Sequence, residues 1–445
     1  MSGKQFFSMR RRWPACVAAG PFLFVSGQMG LRDRDGRPHT RYVDVQGLAP
    51  GPASDYAWVS GMEAPLGSQA LALYDRYRKL LARHGTDLGN LLRYHIYQRD
   101  KRFFPVFDRV RRQYETAPPA STAVGVGPFD PDDESRLYVD AIAYRPSVRP
   151  AYGARTVPGG AGRFAAAAHF SHVVAAGPFL FVAGQIPVDT SRPDNPLVRN
   201  YDDIPEEGRF LRVGRSHEDA RNGPIAAQTW FTYDLVRKHL ESAGSSLREV
   251  LNLIVYLQDM RDFPTFHRVH EHFFPDDPPA LTVVEAGEVG HKGTLIEIEP
   301  TAIVPGRGVS RRTRNAAGWQ PPARMCMLAE AGGLAFLSGI VGTGAASGND
   351  SRSGIAPQAR SIVAELKHRL ALVKAGLERV VHLTIYVDDI SAFNDVAPVL
   401  ERAFGKRRPA LAVLEVPRPA PVRSARMQAV AIAWLGEGSP VATAA

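Results

Sequence analysis

The sequence predicts an α+β protein made of three tandem copies of one unit, each of order β-β-α-β-α-β-β. Three observations carry that expectation. Gly20–Gln28 (GPFLFVSGQ) returns as Gly177–Gln185 (GPFLFVAGQ) and, more loosely, as Gly332–Ile340 (GGLAFLSGI). An apolar stretch ending in Asp follows each time: Leu91–Asp100 (LLRYHIYQRD), Leu251–Asp259 (LNLIVYLQD) and Val381–Asp389 (VHLTIYVDD). Each copy then closes on an alternating run, at Leu137–Tyr144, Leu295–Ile303 and Met427–Trp434. One motif order kept three times is a repeat, and a repeat sets the architecture before any single element does.

The elements follow in order within a copy. The GPFLFV run, rich in Phe and Val and stopping at Gly, reads as a strand entering a turn. Helical spacing comes next, at Ala70–Leu81, Ala227–Leu240 and Ala359–Leu372. The runs ending in Asp are strands that close at an acidic turn. A second helix covers Phe104–Tyr114, Pro264–Phe274 and Phe393–Phe404, after which Pro119-Ala120, Pro279-Ala280 and Pro409-Ala410 open the next strand. Pro/Gly-rich stretches at Pro146–Gly162 and Pro305–Pro322 mark the joints. We therefore place units at 1–150, 160–306 and 318–437, with 438–445 as a disordered tail. Helices cover one face of each sheet, and the bare faces must also be buried. Packing them on one another gives a closed ring of quasi-threefold symmetry.

Composition bounds the function. The 445 residues are 44% hydrophobic and 22% charged, the balance of a globular protein. Two cysteines, Cys16 and Cys326, build neither a disulfide framework nor an all-cysteine metal site, so a reducing cytoplasm is expected. The net charge of +9 is scattered in short clusters without interleaved aromatics, which argues against nucleic acid as a partner. No apolar run is long enough to span a membrane. Arg10–Arg12 before Val17–Val25 imitates an export signal, but Ala18–Val25 recurs letter for letter as Ala175–Val182, so both are read as strands. Neither a GxGxxG nor a P-loop is present, and no cofactor is expected.

These motifs resemble the RidA/YjgF enamine/imine deaminase (Rid) family: FVSGQ in the second strand, the strand ending in Asp before a Phe-led helix, Pro-Ala opening the next strand, and an acidic residue in the last strand. The resemblance implies three RidA-like (chorismate-mutase-like) domains. Family members are usually homotrimers with sites between subunits, so it also implies an intramolecular pseudo-trimer acting as a monomer on a small-molecule substrate. The first two copies share an insertion, Thr40–Tyr56 and Val198–Gly214, so the three clefts should differ.

Active family members bind the substrate carboxylate with an Arg just after Pro-Ala, a role suited to a bidentate guanidinium. Ser121, Leu281 and Leu411 stand there in this chain. The family's water-activating acid maps, by the same resemblance, to Asp140, Glu299 and Val430, so the third copy reads as structural. The middle copy is richest in polar groups: His169, Phe170, Ser171 and His172 near its first strand, and His267 on its second helix where the first copy has Asp108. If these converge, Glu299 with His267 or His169 forms an acid/base pair beside Ser171. Each also has a structural reading, as a surface or hydrogen-bonded residue. Of His267, His270 and His272 in HRVHEH, two imidazoles at i and i+3 share one helix face with no clear third ligand, so no metal site is assigned. Ser26 and Ser338 read as turn residues, and Tyr97, Tyr256 and Tyr386, recurring at one strand position, as packing. The expected function is an enzyme of specialised metabolism acting on a reactive imine, enamine or carbonyl compound by hydrolysis, deamination or cyclisation. The alternatives are a non-catalytic ligand-binding scaffold and a chorismatase-like hydrolase suggested by Arg418 and Arg423.

Overall fold

The computed structural model describes residues 10–443 apart from 11, 33–34, 49–55, 150–152, 154, 158–168, 307 and 343–353. Part of the first insertion (49–55), part of the first joint and the expected start of the second unit at 160 lie outside the described residues.

Unit one runs β1 (Cys16–Ala19), β2 (Phe22–Gln28), α1 (Ala57–Arg83), β3 (Leu91–Gln98), α2 (Phe104–Arg111), β4 (Ala120–Gly125) and β5 (Leu137–Tyr144). A short β6 (Arg155–Val157) leads to unit two: β7 (Val173–Ala176), β8 (Phe179–Val182), α3 (Ser216–Ser242), β9 (Val250–Leu257), α4 (Phe263–Phe273), β10 (Ala280–Glu285), β11 (Glu288–Val289) and β12 (Ile296–Ile303). After β13 (Arg312–Arg314), unit three adds β14 (Leu328–Ala331), β15 (Leu334–Leu337), β16 (Ile340–Val341), α5 (Ile355–Ala371) and β17 (Val380–Val387). It ends with α6 (Phe393–Phe404), β18 (Ala410–Glu415), β19 (Met427–Trp434) and β20 (Val441–Thr443).

Local chemistry explains the repetition. Gly20 and Gly177 take φ of +52° and +60° at the hairpin turns, a region that favours glycine. Asp100, Asp259 and Asp389 each accept the backbone N–H two residues on, capping the turn that enters the second helix. Both α1 and α3 have 27 residues against 17 for α5, because the inserted segments extend them N-terminally past Pro65 and Pro224.

The result is α+β with three sheets. In each, a parallel pair (β3–β4, β9–β10, β17–β18) is joined to antiparallel neighbours through β5, β12 or β19. The segment leaving each unit becomes the edge strand of the next: β6 pairs with β7 and β13 with β14. The last closes the cycle, since β20 pairs with β1 through Cys16–Thr443, Val17–Ala442 and Ala18–Val441. This corrects the expected disordered tail at 441–443. The open edge of β1 needs partners for its backbone groups, and the tail supplies them.

The inner sheet faces share one core. Phe22 and Phe24, Phe179 and Phe181, and Leu334 and Phe336 come from the three units, with Phe22 edge-on to Phe179 at 5.5 Å. Backbone hydrogen bonds of 2.9 Å join every pair of units: Gly287 N–H to Gly125 O, Glu285 N–H to Arg418 O, and Gly127 N–H to Glu415 O. Tyr97, Tyr256 and Tyr386 are packed in one cluster, with Tyr256 Oη 3.4 Å from Tyr386 Oη. Among the described residues no helix is long and apolar enough to cross a membrane.

Candidate active site between units one and two

Equivalent positions line the three seams, and their differences decide which seam is open. Where β2 and β15 end, Ser26 and Ser338 act as bolts. Ser26 Oγ donates to Pro14 O (2.6 Å) and accepts from Leu411 N–H (2.9 Å); Ser338 Oγ donates to Cys326 O (2.5 Å) and accepts from Leu281 N–H (2.8 Å). Unit two has Ala183 there, and Ser121 replaces the buried Leu281 and Leu411. A glycine next to each bolt lets one side chain of the last strand lie against the backbone. A Cβ on Gly27 would fall 1.8 Å from the Tyr138 ring, on Gly339 2.7 Å from Gln428 Oε1, and on Gly184 2.1 Å from Glu297 Oε1. The unit three–one seam is thus filled by Tyr138, with Arg10 stacked 4.8 Å over its ring. Only the unit one–two seam receives a carboxylate at this position.

That seam opens into a cavity of about 950 Å³, at the upper end of small-molecule sites. Unit one contributes Lys101, Phe104, Ser121 and Ala123; unit two contributes Phe170, His172, Gln185, Ile186, His239 and Glu297. Its outer wall is the β11 region. Gly125 on β4 leaves the space for it, since a Cβ there would lie 2.7 Å from Glu288 Cβ. Glu288 then accepts the Lys101 backbone N–H at 2.7 Å.

The titratable groups on its wall are strongly shifted by burial. Glu297 is 4% exposed. Burial pushes its carboxyl up to about 7, against the pull of Lys101 and of the Ala123 and Gly290 amides. Its Oε2 has no hydrogen-bond partner among the described residues. Burial also lowers the Lys101 ammonium, and Glu297 and Glu288 only partly offset this. Lys101 Nζ donates to the carbonyl of Ala123. His172 and His239 stack at 4.9 Å, and burial lowers them to about 3 and about 4, so both are neutral near pH 7.

The sequence-derived candidates separate into three groups. Ser121, Phe170 and His172 line the cavity. Leu281 and Leu411 are buried in the other two seams, their backbone N–H groups held by Ser338 and Ser26. Asp108, His169, Ser171 and His267 tie units together. Asp108 Oδ1 accepts His169 N–H (2.9 Å), and His267 Nε2 accepts Arg324 N–H (2.8 Å) at the equivalent place in the next seam. His169 Nε2 donates to Glu115 O (2.7 Å), and Ser171 Oγ donates to Pro118 O (2.6 Å). The expected grouping of Glu299 with His267 or His169 is corrected, because Glu299 is held by Arg93 and His95 while His169 and His267 bond backbone groups elsewhere.

Asp140 and Glu299 lie deeper, in a buried ionic cluster. Glu299 is paired with Arg93 (3.0 Å) and accepts from His95 Nε2 (2.9 Å), while His95 Nδ1 donates to Asp140 (2.5 Å). Arg93 also reaches Thr301 Oγ1 and the carbonyls of Val182 and Pro300. Burial opposes charge on both partners, yet the counter-charges win: His95 is pushed up to about 10 and Glu299 down to about 2. A carboxylate so held is a tie between units and not a general base, whereas Glu297, two residues earlier on the same face of β12, meets the cavity. Glu297 and Lys101 were missed from sequence. The available signal was positional: Tyr138 and Gln428 repeat the place of Glu297, and Met260 and Ile390 that of Lys101.

Comparison with known proteins finds relatives of single units of the chain. The family model described as Endoribonuclease L-PSP matches residues 161–304 and 320–433, more than half of the chain. A RutC family protein of Pyrococcus horikoshii is 34% identical over 133 residues, 30% of this chain and 85% of its own length. The 3-aminoacrylate deaminase RutC of Acinetobacter baylyi is 31% identical over 121 residues, 27% of this chain and 95% of its own. The crystal structure of yeast Mmf1 aligns with a TM-score of 0.27 at 24% identity, covering 34% of this chain and 98% of that one. With its motifs matched twice by one family model and repeated a third time, the chain belongs to the Endoribonuclease L-PSP family, the family of the RidA/YjgF proteins.

Proposed function

We propose that the chain is a cofactor-free Rid-family enzyme that transforms a small imine, enamine or carbonyl compound in the seam between units one and two. In this reading the three units, near 1–150, 160–306 and 318–437, stand in for the subunits of a trimer, and two seams have become scaffold. One observation carries it: Glu297 is a buried carboxyl poised near neutrality, with a free oxygen, at the wall of a cavity. A general base works best when its pKa lies near the working pH.

For imine hydrolysis the steps balance. Glu297 takes a proton from water as the oxygen adds to the iminium carbon, and the C=N pair returns to nitrogen. The Glu297 acid then protonates that nitrogen, and collapse of the carbinolamine leaves a carbonyl compound and ammonium. The enamine named in the RutC relative, 3-aminoacrylate, enters this scheme after tautomerisation to an imine. Ser121 offers no bidentate grip on a carboxylate, and Phe104, Phe170 and Ile186 make part of the wall apolar. Larger or less acidic substrates than amino-acid imines are therefore favoured.

The test is turnover of a panel of 3-aminoacrylate, 2-iminopropionate generated in situ and apolar imines. We expect Glu297→Gln to fold normally and to lose about 10²–10⁴-fold in kcat. The wild-type rate should rise with pH through about 7, and the variant should lack that limb. Full turnover by the variant removes Glu297 from the mechanism. A wild type that binds but turns over none of the panel favours the ligand-binding scaffold.

A further inference from the structure

We propose that Lys101 is a covalent catalyst in this seam, capturing the carbon of a carbonyl substrate as a Schiff base with Glu297 moving the protons. The inference rests on the proposed function and goes further by naming a nucleophile and a carbonyl-bearing ligand class.

The three units provide an internal control. At the position of Lys101 the other units carry Met260 and Ile390, 5% and 3% exposed, in the same turn after the capping Asp. In all three the backbone N–H is held by a glutamate: Glu285 for Met260, Glu415 for Ile390, and Glu288, reaching across the seam, for Lys101. The turn is thus conserved in geometry while its side chain is apolar beside filled seams and an amine beside the open one. An amine there costs desolvation that Met does not, so its presence calls for a use.

The geometry fits that use. Lys101 Nζ rests on the carbonyl of Ala123, a neutral acceptor, and the amide of the same residue faces the Glu297 carboxyl. One residue of β4 therefore meets both the amine and the acid on the cavity wall. Burial favours the neutral amine, which is the nucleophilic form. Phe104, Phe170 and Ile186 make part of the surroundings apolar, and neutral His172 adds no competing charge.

The step balances. The Lys101 ammonium gives one proton to the Glu297 carboxylate. The free amine adds to the carbonyl carbon, the C=O pair moves to oxygen, and that oxygen takes a proton from nitrogen to give a neutral carbinolamine. The Glu297 acid protonates the hydroxyl, which leaves as water while the nitrogen lone pair forms C=N. The products are a protonated Schiff base, the Glu297 carboxylate and one water.

The experiment treats the full-length protein at pH 7 with pyruvate or propanal plus sodium cyanoborohydride, and maps reduced adducts by peptide mass spectrometry. We expect Lys101 to be labelled faster than Lys79, a lysine 62% exposed, because burial favours its free amine. Lys101→Met, for which Met260 is the folded precedent, should keep its melting midpoint and lose both the label and turnover. Labelling of Lys101 no faster than Lys79 overturns the proposal. So does turnover that survives in Lys101→Met while Glu297→Gln is dead, an outcome that leaves the acid/base site standing. Turnover unchanged in both variants sinks the proposed function and the Lys101 proposal together.

Discussion

Glu297 and Glu299 sit two residues apart on one face of β12, yet one is raised to about 7 and the other lowered to about 2. The difference is what another unit brings to each: apolar walls and a lysine to the first, Arg93 and His95 to the second. Sequence reading named Glu299 from its match to the family's acidic position, and neither that match nor strand alternation shows how deep in the seam a residue lies. It also read His267 and Asp108 as candidates when both serve as acceptors for the next unit's backbone; nothing local marks a partner more than fifty residues away. The ionic cluster yields a pH prediction. His95 has a folded pKa of about 10 against an ordinary 6.5, so its contribution is complete below 6.5 and disappears as pH rises through 10. Glu299, depressed from 4.5 to about 2, contributes above 4.5 and fails as pH falls through 2. Removing one partner of such a buried pair costs about 3–5 kcal/mol. We therefore expect His95→Gln to lower the thermal midpoint most between pH 4.5 and 6.5, with the gap to wild type shrinking towards pH 10. A gap that does not vary with pH would show that His95 contributes by packing alone.

Long elements were legible, and short ones were not. The strands Leu137–Tyr144 and Met427–Trp434 fall where alternation puts them, and α6 matches its expected span. The hairpin glycines and capping aspartates announce themselves by chemistry. By contrast β6, β11, β13 and β20 have two or three residues each, too few for any period, and they exist because a neighbouring edge offers hydrogen bonds. The seams are an intermediate case: Ser26, Ala183 and Ser338 were visible as a repeat position, but their bolting of strand to strand required the fold. That device can be transplanted. The double variant Ala183→Ser with Ser121→Leu copies the sealed seams into the open one, where the new hydroxyl can accept the residue 121 N–H. We expect stability to rise by about 1 kcal/mol for the gained hydrogen bond, and ligand binding and turnover to fall. Unchanged binding measured by calorimetry would place the ligand elsewhere.

At the level of the molecule the repeat was readable and the pairing of the tail with β1 was not, because the tail looked featureless. Val441–Thr443 joins the end of the chain to its first strand, making a noncovalent third joint beside two covalent ones. Deleting 438–445 should bare the edge of β1, lower the melting midpoint and promote edge-to-edge association visible in sedimentation; an unaltered midpoint would mean the strand is ornamental. The ionic cluster has a further consequence. Where unit one supplies Arg93 and His95, unit two carries Asn252 and Ile254 at the matching places, and so holds Glu299 without any cation of its own. Three copies of the middle unit, assembled alone, would bring together three acidic groups with nothing to neutralise them. On that ground we expect the middle unit to depend on the first for its stability.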